Sequence, residues 1–128
     1  MAHAKAHIGQ ANWATTVTSG RHSLVSDEPA SLGGQDAGPA PFPLLLASLG
    51  SCTAITLRMY AERKGWPLEA VDVDLHYLAE GEDRSITRTL TLTGDLDEAQ
   101  RARLAEIAER TPVTLALKGG VAIATSLA

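Results

Sequence analysis

The feature that most limits how this chain can fold is the run "PLLLASLGSCTAITL", residues 43–57, which carries no charge at all. Pro41 and Pro43 stand at its start. A proline in a first helical turn costs little, because its missing N–H had no partner there. The pattern continues to about Lys64, where Gly65 and Pro67 supply stops. This predicts one long helix. Its first half is apolar all round and so calls for burial on every side, whereas "RMYAERKG" is charged and has to emerge into water. Gly50 costs about 1 kcal/mol relative to Ala inside a helix, which predicts that something packs against the backbone there.

The flanking segments read as strands and one more helix. Lys5 to Ser26 is strand-like and broken at Gly20, the pattern of a meander. Residues 27–43 have Gly, Pro and Ala without periodicity and read as a loop. "AVDVDLHYL" alternates, with Val71, Val73, Leu75 and Tyr77 on one face and Asp72, Asp74 and His76 on the other. "SITRTLTLTG" alternates too, with Ile86, Leu90 and Leu92 inward. The two make an antiparallel hairpin with one wet face. "GDLDEAQRARLAEIAER" opens with Asp95 and Glu98 at capping-box spacing and carries the stripe Leu96, Leu104, Ile107 and Ala108. "TPV" breaks that helix, and "GGVAIATSL" reads as a final strand. The order predicts a single α+β domain, residues 1–128. One sheet and one further helix are too little cover for a helix that is apolar all round. The missing cover is most cheaply a second copy, so a homodimer with the Cys52 helices near its centre is expected.

Composition narrows the partners. The net charge is −4 over 128 residues, which argues against nucleic acid and anionic membranes, since both demand a basic face. The uncharged run falls short of the ~18 residues of a membrane span, and "MAHAKAHIGQ" lacks the layout of a signal peptide. A soluble, cytoplasmic protein is expected. The histidines do not complete a ligand set with Cys, Asp or Glu, so neither a metal nor another cofactor is expected.

Cys52 is the only cysteine, so no internal disulfide is possible. On an apolar helix it is either a small core residue or a nucleophile kept from water. Apolar surroundings disfavour a thiolate unless a cation stabilises it. Arg21, after Gly20 in "TSGRHS", is the candidate, because a guanidinium keeps its charge when buried. Arg58 lies six residues along the Cys52 helix on another side, and Arg110 near the end of the second helix.

The stretch "GGQDAGPAPFPLLLASLGSCTAITLRMYAERKGWPLEAVDVDL" resembles the signature region of OsmC-like proteins, the superfamily that includes the organic hydroperoxide resistance proteins. "LVSDEP" before it and "GDLDEAQRARLAEIAERTPV" after it fit the same pattern. The resemblance implies an intertwined α+β homodimer, with antiparallel sheets packed around two long central helices. It also implies a thiol peroxidase: a peroxidatic cysteine attacks an organic hydroperoxide, a second cysteine closes a disulfide, an external dithiol reduces it, an arginine holds the thiolate and a glutamate orients that arginine. Cys52 matches the peroxidatic position and Arg21 the arginine. The "CPV"-like motif of the resolving cysteine reads "TPV" here, so Thr111 stands in its place. The glutamate of a "P-x-E-L-L-L"-like helix start is replaced by Pro43 in "PFPLLL".

Those two changes have different consequences. Thr111 cannot form a disulfide, so a sulfenic acid on Cys52 has to be reduced by an external thiol or climb to the sulfinic form. Pro43 removes the carboxylate that would hold Arg21, and Asp27 or Glu28 is the available replacement. Two functions follow. One is a one-cysteine reductase of organic hydroperoxides with an external thiol reductant. The other is a degenerate OsmC-fold dimer that binds a small apolar ligand.

Overall fold

The structure, a computed structural model, describes residues 2–128. The chain divides into two compact units, one ending at Leu45 and one running Leu46–Ala128. In the first, β1 (Lys5–Ile8), β2 (Thr15–Ser19) and β3 (His22–Ser26) pair antiparallel in the order β1–β2–β3, the expected meander. Gly20 opens the two-residue turn between β2 and β3 at φ 58°, a conformation that glycine adopts without steric cost.

The segment after β3 is a loop, as its composition predicts, and it is wound around one carboxylate. Asp27 is buried. Its Oδ1 accepts the N–H of Trp13 at 3.1 Å and of Glu28 at 2.7 Å, and its Oδ2 those of Gln35 and Ala37 at 3.1 Å each. Ser26 Oγ donates to the Pro39 carbonyl at 2.8 Å. Trp13 Nε1 donates to the carbonyl of Leu32, which closes the single 3-10 turn Ala30–Leu32.

The long helix α1 (Pro41–Lys64) begins at the prolines and ends at Gly65, φ 70°. The N–H groups of Gly65 and Trp66 return to the carbonyls of Glu62 and Ala61, the glycine-terminated closure that satisfies the last turn. Burial along α1 differs from the expectation. Leu49, Thr53, Leu57 and Ala61, four apart, form one buried stripe, while Ile55 and Met59 are exposed. Within a single chain the helix is covered on one face only.

In the second unit, β4 (Leu68–Glu80) and β5 (Asp83–Gly94) form the predicted hairpin around Gly81. The register sets Val71 opposite Leu92, Val73 opposite Leu90, Leu75 opposite Arg88 and Tyr77 opposite Ile86. Leu75 explains Gly50: a Cβ on that glycine would lie 2.8 Å from Leu75 Cδ1. The core joins Leu57 and Ala61 of α1 to Leu68, Leu96, Leu104 and Ala108. Fully burying a leucine such as Leu57 or Leu104 contributes about 1.5–3 kcal/mol. The helix has the length and hydropathy of a membrane span, and its residues Leu57 and Ala61 pack into the core of the second unit.

Three expectations are corrected at the end of the chain. Helix α2 (Glu98–Ala108) is capped by Asp97, whose side chain accepts from Gln100 N while the Gln100 side chain accepts from Asp97 N. The capping box thus sits two residues after Asp95, which frees Leu96 to enter the core ahead of the helix. "TPV" does not only end α2. It starts a further helix, α3 (Pro112–Gly119), with Thr111 as N-cap and Pro112 in the first turn. The final strand is not formed: residues 120–128 have no regular structure, and Val121, Ile123 and Leu127 are 73%, 89% and 100% exposed. A strand needs a neighbour for its N–H and C=O groups.

Candidate active site around Cys52

Cys52 sits on α1, half-buried, one residue before Thr53 of the buried stripe. Its sulfur is met by α3. Thr111 is extended (φ −68°, ψ 152°) and Pro112 has no N–H, so Val113 offers the first free amide of that helix, and it donates to Cys52 Sγ at 3.5 Å. The first amides of a helix lack intrahelical partners and carry the positive end of its dipole. Thr111 does not cap them, because its hydroxyl is bonded to that of Thr114 at 2.6 Å. The amide is therefore left to the sulfur.

Arg88 completes the arrangement. It leaves β5 on the apolar face, with its side chain only 12% exposed. Nη1 donates to Thr53 Oγ1 at 3.0 Å and to Thr114 Oγ1 at 2.9 Å. Thr53 and Thr111 are fully buried and Thr114 nearly so. Arg88 Nη2 lies 3.6 Å from Glu109 Oε2, which also takes Lys118 Nζ at 2.7 Å. The Lys118 hydrogen bond holds the Glu109 carboxyl below the usual range; burial opposes this, and the charges of Lys118 and Arg88 add to it.

Thr111, which the sequence resemblance sets in the resolving position, is thus on the segment that touches Cys52. Arg21 is exposed at the β2–β3 turn of the first unit. Pro43 lies in the first turn of α1 and is exposed. Asp27, one of the two candidates to replace the missing glutamate, has two N–H donors on each oxygen, which fills the roughly four acceptor positions of a carboxylate. It is a structural hub with no lone pair left for an arginine. Arg58 is tied to the carbonyls of Leu68 and Glu69. An open depression of about 450 Å³ on α1 is lined by Ala54, Ile55, Arg58, Met59, Glu62 and Val71, and Cys52 is not part of it. Among the described residues, no group of three His, Cys, Asp or Glu side chains is placed to hold a metal.

The sequence reading missed Arg88, Thr53 and Thr114. For Arg88 a signal existed: it shares the parity of Ile86, Leu90 and Leu92, the inward face of β5. A cation at an inward position needs polar partners.

The combination of a long core helix, an antiparallel hairpin and two shorter helices defines an α+β protein of the OsmC fold. Solved structures share it. An organic hydroperoxide resistance protein OsmC from Legionella pneumophila is 26% identical over 93% of this chain and 90% of that one, with a TM-score of 0.67. An OsmC-like protein from Mycoplasma pneumoniae is 16% identical over 93% and 88%, with a TM-score of 0.80. The organic hydroperoxide resistance protein OhrB of Bacillus subtilis is 23% identical over 93% and 91%, with a TM-score of 0.60. No curated protein matches the chain. A family model described as OsmC-like protein matches residues 33–126. The chain belongs to the OsmC-like family.

Proposed function

We propose that this protein is a one-cysteine hydroperoxide reductase of oxidative-stress defence, acting in the cytoplasm as a homodimer. The Cys52 thiolate attacks the O–O bond of a small apolar hydroperoxide. The S–O bond forms as O–O breaks, the leaving alkoxide takes a proton and departs as alcohol, and Cys52 is left as a sulfenic acid. An external thiol condenses with it, releasing water and giving a mixed disulfide. A second thiol then frees Cys52 as the external disulfide departs. Arg21 is assigned as the thiolate partner on family likeness.

The observation that supports this reading most is the 3.5 Å contact between Cys52 Sγ and the Val113 amide. It joins Cys52 to the segment that begins at Thr111, the two residues that the family resemblance assigns to the nucleophile and the resolving position, with a helix N-terminus facing the sulfur. Support from relatives comes from the Legionella and Bacillus proteins, both of which are called organic hydroperoxide resistance proteins. The test is turnover of cumene hydroperoxide with a dithiol as reductant. Activity abolished by Cys52→Ser is expected. Absence of turnover, together with no sulfenic acid trapped by dimedone, sinks the reading.

A second reading has its own support in Pro43 and Thr111, which stand where the family's glutamate and second cysteine would. In it the chain is a non-catalytic dimer that binds a small apolar ligand. Saturable binding with an inert Cys52 distinguishes it.

A further inference from the structure

A charged group on the apolar face of a hairpin is retained only where it is paired or hydrogen-bonded. Arg88 lies opposite Leu75 on that face. Its nearest carboxylate oxygen, on Glu109, is 3.6 Å away and already engaged by Lys118. What Arg88 holds closely are two hydroxyls, both through Nη1: Thr53 of α1 and Thr114 of α3. Thr53 donates its own proton to the Leu49 carbonyl at 2.7 Å, so its oxygen is left as an acceptor for the guanidinium. Thr53 and Thr114 each follow directly the two residues that meet in the thiol contact, Cys52 and Val113. The arginine bridge and the sulfur–amide contact are adjacent rungs between the same two helices.

We propose that Arg88 is the positioning residue of the Cys52 site: by bridging Thr53 and Thr114 it keeps the N-terminus of α3 on α1, so that the Val113 amide meets the sulfur. This rests on the reading of Cys52 as the peroxidatic thiol. It is independent of Arg21, which belongs to the other unit.

The test uses Arg88→Gln, Arg88→Lys and Thr114→Val in the full chain. Two rates are followed in each: single-turnover oxidation of Cys52 by cumene hydroperoxide, and alkylation by iodoacetamide across pH, with Tm alongside. Arg88→Gln removes charge and fork, and it is expected to slow both reactions about tenfold at neutral pH and to move the alkylation profile to more alkaline pH. Arg88→Lys keeps the charge without the planar fork and recovers part of the rate. Thr114→Val breaks one arm of the bridge and gives an intermediate effect. A lower Tm with both rates and the alkylation profile at wild-type values makes Arg88 merely structural and overturns the proposal. If Arg88→Gln does not fold, the other two variants decide in the same way. If wild-type Cys52 ignores the hydroperoxide, the peroxidase reading fails by itself, because the iodoacetamide profile still reads the effect of Arg88.

Discussion

Thr111 carries a hydroxyl where the sequence resemblance expects a resolving thiol, and its side chain is fully buried on the segment that meets Cys52. Thr111→Cys therefore tests the assignment of this position. The substitution gives up the 2.6 Å hydroxyl bond to Thr114, a loss of about 0.5–1.5 kcal/mol. After one equivalent of peroxide, the variant is expected to form an intramolecular disulfide, read as the loss of both titratable thiols in a monomeric band without reductant. Wild type, with one cysteine, cannot do so and is expected to proceed to the sulfinic acid in excess peroxide. A variant that keeps both thiols, or links only between chains, removes Thr111 from the resolving position. At this scale a motif in the sequence singles out Cys52 and the segment of Thr111, and the structure brings that segment to the sulfur. The sequence was not legible for Arg88, because alternation says which way a side chain points and not what it finds there. Thr53 and Thr114, 61 residues apart, have no sequence pattern that pairs them.

Elements with a strong local pattern came out as read, and elements that depend on non-local partners did not. The β4–β5 hairpin follows from strict alternation, and α1 from its prolines, its apolar run and Gly65. By contrast α3 is a short helix opened by a proline that looked only like a stop, and the tail 120–128 has alternating apolar residues but no strand beside it. The loop after β3 was legible as a loop, while the reason it holds one shape, Asp27, was hidden among ordinary turn residues. Burial works against the Asp27 carboxylate, but the four backbone N–H bonds outweigh it and hold its carboxyl below the ordinary value of 3.8. Because the folded value is the lower one, this contribution to stability is fully present above 3.8 and is lost as pH falls through the folded value. Acidification below that point is expected to speed hydrogen exchange at the Gln35 and Ala37 amides. Asp27→Asn turns an NH₂ toward two of the four donors, so it is expected to lower Tm at neutral pH and to flatten the acid limb. A variant with wild-type Tm at neutral pH shows that Asp27 does not organise the loop.

On the scale of the whole molecule, the uncovered surface carries the argument. In the second unit Ile55 and Met59 stand 52% and 63% exposed on α1, Ile55 within the uncharged run that the sequence marks for burial on every side. They line, with Ala54 and Val71, an open depression whose only charged members are Arg58 and Glu62. The C-terminal tail adds Ile123 and Leu127, almost wholly in water. Exposed apolar side chains clustered on α1 are expected to form an interface, and the cheapest partner is a second copy, whose own α1 offers the same exposed side chains. Light scattering is expected to give the mass of two chains at micromolar concentration. Ile55→Asp combined with Met59→Asp is expected to shift the protein to one chain while preserving the helical circular dichroism, since neither side chain belongs to the buried stripe Leu49–Thr53–Leu57–Ala61. Burying a carboxylate against its own copy costs several kcal/mol per ion. A wild type that scatters as one chain, or a double variant that stays paired, places the cover of α1 elsewhere.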